Sequence, residues 1–148
     1  MISGEARIVN FEKLLSQFQA LPDRMLRALE QELVIGANEL RNRIINSMDT
    51  TPKTGRTYPR WGGKKFHIAS SPGNPPAVDT GNLKQSIIMD ARLPGEVEVG
   101  STITEPPYPA YLEEGTSRMA ARPWLEPALD AVTPRIEENI KQRILKAI

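Results

Sequence analysis

Cysteine is absent from the 148 residues, which excludes disulfides and thiolate metal sites. Histidine occurs only at position 67, and no His/Asp/Glu cluster has metal-ligand spacing. An excess of one charge sign is missing too. Nineteen basic against eighteen acidic residues leave a net +1, which argues against a surface built throughout for nucleic acid or an anionic membrane. Long apolar runs are also lacking. The longest strongly apolar stretch, Leu33-Val34-Ile35-Gly36-Ala37, falls far below the ~20 residues of a membrane span. Glu5 and Arg7 stand near the start without an apolar core behind them, so no secretory signal is expected. A soluble protein made inside a cell is the expectation. The length suits one domain, and a domain of this size buries about 68–70% of its unfolded surface, enough for a core without staples.

What is present is periodicity at both ends. Asn10 is a candidate N-cap for a first helix with Phe11, Leu14, Leu15 and Phe18 on one face. Leu21-Pro22 breaks it, and Pro22 suits the first turn of the next helix. From Asp23 to Met48, the positions Leu26, Leu29, Leu33, Ala37, Leu40, Ile44 and Met48 recur three or four apart. Charged residues, Glu32 among them, run between these positions, giving a long amphipathic helix. Gly36 inside it either costs stability or lets another backbone approach closely. From Pro123 to Ile148 the apolar residues repeat every fourth position, so the stripe drifts by roughly 40° per step. Pro134, after a candidate Thr133 cap, predicts a kink or restart.

Between the ends the character changes. Residues 49–78 are rich in Pro and Gly and read as an extended basic loop that reaches away from the core, with His67-Ile68-Ala69-Ser70 as a short strand within it. Asp79 or Thr80 caps a single helical turn at Asn82-Leu83. Ser86–Arg92 and Glu96–Ile103 then form an antiparallel hairpin around Pro94-Gly95, the composition of a type II turn. Tyr108, Tyr111 and Leu112 start a short helix closed by Glu113-Glu114-Gly115-Thr116. The architecture predicted is α+β: one domain over 1–148, with a helical part (10–48), the basic loop (49–78), and a sheet with a C-terminal helix (79–148).

Chemistry is sparse. A lone His67 in such a loop is expected to be an ordinary exposed residue rather than a base or ligand. No Gly-rich loop passes from a strand into a helix, so nothing supports a phosphate cradle. Adjacent Glu113 and Glu114 point in different directions, which argues against a convergent acid–base pair. One is expected to be exposed, the other to cap or to pair with an arginine such as Arg118 or Arg122. No enzyme, cofactor or metal is expected. Lys53, Arg56, Arg60, Lys64 and Lys65 are interleaved with Tyr58, Trp61 and Phe66 and with no acid. Cations and aromatics on a loop suit phosphates and bases, so Arg56, Arg60, Lys64 and Lys65 are candidate nucleic-acid contacts. A basic loop that orders against an acidic neighbouring subunit is the competing reading.

Three stretches carry a family resemblance: Pro75–Ile87, Tyr108–Thr116 and Met119–Leu129. In order and spacing they resemble the minor tail-component family of lambdoid and related long-tailed phages, which covers neck, head–tail joining and tail-completion proteins. Thr80, Gly81, Leu83, Ser86 and Ile87 match its first pattern. Tyr108, Tyr111, Glu114, Gly115 and Thr116 match the second. Arg122, Pro123, Trp124, Leu125, Pro127, Ala128 and Leu129 match the third, with Trp124 where the family often has Phe. The match covers about half of the chain, and the basic loop departs from shorter relatives. The resemblance implies a virion protein of the neck or tail, made in the host bacterial cytoplasm, that oligomerises, as a ring for instance. It also implies contacts with connector, tail-tube or tail-terminator proteins and no catalysis, while the basic loop allows passing contact with DNA and the short apolar runs leave no membrane partner expected. Gly81 and Gly115 would then supply turns, and Tyr108, Tyr111 and Trp124 core or interface area. Plain fold maintenance is the competing role for all these positions.

Overall fold

The computed structural model describes residues 3–6, 22–93 and 95–147. The helix expected over Phe11, Leu14, Leu15 and Phe18 lies outside the described residues, as does Pro94. In chain order the elements are β1 (Ser3–Ala6), α1 (Asp23–Thr50), β2 (Thr57–Arg60), β3 (Lys65–Ile68), α2 (Asn82–Ser86), β4 (Ile87–Leu93), β5 (Glu96–Ser101), α3 (Tyr108–Glu114) and α4 (Glu126–Ala147). The fold is α+β. An antiparallel sheet in the order β1-β5-β4 packs on α1, α1 packs along α4, and β2 and β3 form a separate ribbon.

Helix α1 buries Leu29, Leu33, Ala37, Leu40, Ile44 and Met48, as its periodicity predicts. Met25 is buried at its start, while Leu26 is only half-buried. The close approach at Gly36 is made by a side chain, not by the backbone expected. A Cβ there would stand 2.7 Å from Cγ1 of Ile136 on α4. Glu32 corrects the expectation of a solvated charge. It is 6% exposed, and Oε1 sits 2.6 Å from Nε of Arg143, so an ion pair spans the joint between α1 and α4.

Helix α4 buries Ala128, Val132 and Ile136 beneath Trp124 and Leu125, then leaves Ile140 and Ile144 half-covered, as a drifting stripe must. Of the kink or restart expected at Pro134, the restart does not occur, for the helix runs through it. Thr133 is no cap; its hydroxyl donates back to the Leu129 carbonyl at 2.8 Å. Pro134 lies on the exposed side, where water can serve the carbonyl that its ring leaves unbonded.

Strands β4 and β5 pair Ile87 with Ser101 and Met89 with Val99, and Gly95 takes φ +78° in their turn. Ile87 and Val99 enter the core shared with α1 and α4. Arg41 on α1 donates from Nε to the Ile87 carbonyl at 2.9 Å, fixing helix to sheet. Strand β1, which pairs Ser3 with Ser101, extends the sheet beyond the two strands predicted from sequence.

The segment 49–78 departs most from expectation. Thr57–Arg60 and Lys65–Ile68 pair as a regular antiparallel ribbon, and only its outer part projects. Its base is held in the body. Ala69, Ser70 and Ala77 are buried, Gly55 N–H donates to the Ala69 carbonyl, and Gly73 N–H donates to that of Ala121. His67-Ile68 belong to a strand as expected, but Ala69-Ser70 have left it to pack inward.

Candidate functional site

Two regions hold the residues singled out by sequence, and they differ in kind. The first is a clasp made by α3 and the start of α4. Trp124 is 1% exposed and donates from Nε1 to the Pro109 carbonyl at 2.9 Å, so its ring fills the core while its polar edge is satisfied. Arg122 is buried. Its Nε donates to the Ser70 carbonyl at 3.1 Å, and its backbone N–H to the Leu112 carbonyl at 2.6 Å. Glu113 closes the clasp. Oε2 accepts from the N–H groups of Trp124 (2.7 Å) and Leu125 (2.9 Å), and Oε1 accepts from that of Glu126 (2.9 Å). One carboxylate thus serves three donors that a helix start leaves without partners, and its charge meets the positive end of the helix dipole.

The division between the two glutamates therefore falls as anticipated in kind, since one caps and the other is exposed. The cap is Glu113, whereas the residue matched to the family pattern, Glu114, is the exposed one. Gly115 ends α3 at φ +77°, and a Cβ there would stand 2.8 Å from the Ala121 nitrogen, so the chain can double back only through glycine. Thr116 is exposed and bridges Met119 backbone to backbone. Tyr108 is half-buried, and loss of hydration raises its phenol above the ordinary value of 10. Tyr111 and Pro127 are exposed, and Pro123 is half-buried.

The first family stretch joins from the side. Gly81, at φ +87°, occupies the cap position of α2, and the Thr80 hydroxyl accepts from the Asn82 N–H at 3.3 Å. Leu83 packs against the core that contains Trp124 and Leu125. The hydroxyls of Ser86 and Ser101 meet at 2.7 Å. Asp79 is not the cap. Its Oδ1 accepts from Arg60 at 2.6 Å and lies 3.4 Å from His67 Nδ1.

The second region is the ribbon. Its pairing places Tyr58, Arg60, Lys65 and His67 on one face, and Thr57, Pro59, Phe66 and Ile68 on the other. The first face turns toward the body through Asp79. His67 is consequently half-buried, not the exposed residue expected. Burial pulls its pKa below the ordinary 6.5, and Lys53, Arg60 and Arg122 push the same way against the opposing pull of Asp79. The second face is bare, with Phe66 66% exposed and Ile68 and Pro59 also exposed.

At the tip Trp61 is 69% exposed and holds φ +48°, followed by Gly62 at +66°. Positive φ at both residues meets the requirement of a type I′ turn, closed by Gly63 N–H donating to the Arg60 carbonyl at 3.1 Å. A bulky residue rarely adopts that conformation. Lys65 Nζ lies 5.0 Å and the Arg60 guanidinium 5.8 Å from the indole centre, while Arg56 lies 5.5 Å from the Tyr58 ring. Lys64 is exposed beside them. Of the four candidate nucleic-acid contacts, Arg56, Lys64 and Lys65 face solvent, whereas Arg60 is engaged by Asp79.

Among the described residues no group of three or more His, Cys, Asp or Glu side chains is placed to hold a metal ion, and no helix is long and apolar enough to cross a membrane. Compared with protein-family models, curated proteins and solved structures, the chain matches none.

Proposed function

We propose that this protein is a structural subunit of a phage neck or tail, acting in tail completion or head–tail joining through self-association and contacts with connector, tail-tube or tail-terminator proteins. The observation that carries the assembly reading is the ribbon. It leaves Trp61, Phe66 and Ile68 largely exposed to solvent on a paired ribbon whose base is held in the body. The motif residues support the same reading from inside. Gly115, Arg122 and Trp124 hold α3 to α4 instead of surrounding a reactive cavity. The phage assignment rests on the three sequence stretches, and two of these are laced together through the hydrogen bond from Arg122 N–H to the Leu112 carbonyl.

Light scattering behind gel filtration, over a wide concentration range, tests the self-association. A concentration-dependent closed oligomer is expected. A strict monomer that also fails to bind purified phage connectors or tails would overturn the assignment.

One observation favours a second reading, a nucleic-acid-binding module built on residues 53–66. Lys64 and Lys65 lie exposed beside the stacking surfaces of Trp61 and Phe66. That reading requires affinity that falls steeply with salt and is lost when Arg56, Arg60, Lys64 and Lys65 are neutralised. Salt-insensitive or absent binding removes it.

A further inference from the structure

We infer that the groove between α1 and Arg135 of α4 takes an extended, acidic segment of another protein, held by its main chain on a ladder of side-chain amides. The ladder follows from the helix repeat. Asn38, Asn42 and Asn46 succeed one another at four-residue spacing on α1, and Ile35, Glu39 and Arg43 form the neighbouring row. Both rows line a surface groove of about 720 Å³, and Arg135 supplies the facing wall. This site is separate from the ribbon and does not depend on self-association.

Asparagine is a poor helix former, because its amide competes for backbone groups. Three of them in one exposed row add nothing to the helix propensity of α1. Only Asn38 turns back, donating from Nδ2 to the Val34 carbonyl at 3.1 Å. Asn42 and Asn46 are exposed, and neither side chain has a hydrogen-bonding partner among the described residues. A carboxamide carries donors and an acceptor side by side. The edge of an extended chain presents the N–H and C=O of every second residue, about 6.6–6.8 Å apart. Four residues of helix rise about 6.0 Å, so successive amides meet successive exposed peptide groups. The four-residue row is inclined by about 26° to the helix axis, and the segment would cross α1 at that angle.

Charge then selects among extended segments. Of the lining residues, Arg43 and Arg135 stand against one carboxylate, Glu39, which holds Arg135 at 2.9 Å. Asp49, the next acid along this side of α1, is taken by Lys84 at 2.8 Å. The groove therefore keeps a net positive charge, with Arg43 exposed in it to meet a glutamate or aspartate. At its head Ile35 is 47% exposed and offers an apolar seat. Small ligands fit less well. Among the described residues the lining holds no aromatic ring on which a base or sugar could stack, and an open groove encloses too little of a small molecule.

The test selects binders from a random library of short linear peptides on the full chain, with Asn42→Ala/Asn46→Ala as the counter-target. Both positions are exposed and alanine favours helix, so the variant should melt no lower than wild type. Selected peptides should carry an acidic residue and lose at least about tenfold in affinity for the variant. N-methylation of alternate amides in the peptide should cost as much, because the ladder reads main-chain N–H groups. Arg43→Glu should weaken the same peptides and restore analogues with lysine in place of the acid.

A library that yields no binder, or binders that treat wild type and the double variant alike, would overturn the inference. Peptides indifferent to N-methylation would overturn it too, since recognition would then lie in their side chains. If the double variant instead lost self-association in light scattering, the groove would belong to a second copy of this chain and the inference would fall. Self-association and binding to purified connectors or tails are measured without peptide, so the assembly reading stands or falls on its own.

Discussion

Trp124 and Trp61 are the two tryptophans of the chain, and their surroundings could hardly differ more. Trp124 is enclosed by α1, α3 and α4, with its indole N–H satisfied by Pro109. Trp61 stands at the tip of a two-stranded ribbon on a backbone that tryptophan seldom adopts, lined by cations. Around Trp124 the indole N–H, the Arg122 Nε and the Glu113 carboxylate all have partners inside the subunit. Around Trp61 the aromatic surface stays 69% exposed, with the Lys65 and Arg60 cations against the ring. The clasp therefore serves folding, whereas the aromatic residues of the ribbon are left at the surface.

Substitution should separate the two regions cleanly. Trp124→Ala is expected to cost about 3–5 kcal/mol, while Trp61→Ser stays within about 1 kcal/mol, both read by denaturant unfolding. Equal losses would mean that the ribbon belongs to the core after all. Gly36→Ala comes next. Its Cβ would meet Ile136 at 2.7 Å, so an overpacking cost of about 1–3 kcal/mol is expected, and a gain would show that α4 can slide. Glu113→Ala should lose about 0.5–2 kcal/mol through the cap of α4, against roughly none for Glu114→Ala. The reverse order would place the cap on the wrong glutamate.

The smallest effect concerns pH at the foot of the ribbon. His67 has a lowered pKa, so the unfolded chain takes up its proton first as pH falls. Stability is then fully present above about pH 6.5 and declines below it, down to the folded value. His67→Gln should flatten that slope in melting temperatures measured from pH 8 to 5.5, and an unchanged slope would assign it to other groups.

How much of this was legible depended on whether an element owes its form to its own pattern. Helix α1 and the β4–β5 hairpin carry their periods in the sequence, and both were visible there. The ribbon was obscured because Pro59, Gly62 and Gly63 read as loop, although a tip glycine pair between Thr57-Tyr58 and Phe66-His67-Ile68 is a hairpin signal. In a two-stranded ribbon a strand proline is tolerated because each strand is an edge. The Ser3–Ala6 strand has no such signal; β5 alone gives it a pairing partner. Glu113 and Glu114 are indistinguishable by type, and only the turn at Gly115 decides which faces α4. The fate of Glu32 was hidden likewise, since its partner, Arg143, lies on the far helix.

The pairing of α1 with α4 also bears on how the protein comes into being. Residues 51–125 separate the two helices, so α1 leaves the ribosome long before its partner is made. Until then Leu40 and Ile44 lack the Ala128, Val132 and Ile136 side of their shared core, and a nascent chain halted before Glu126 would present part of that stripe to chaperones or to other nascent chains. Closing so long a loop makes completion of the core a late event in folding. The step that seals the interior thus also lays α4 on the body, with Glu126, Asp130 and Glu137 left on its exposed side.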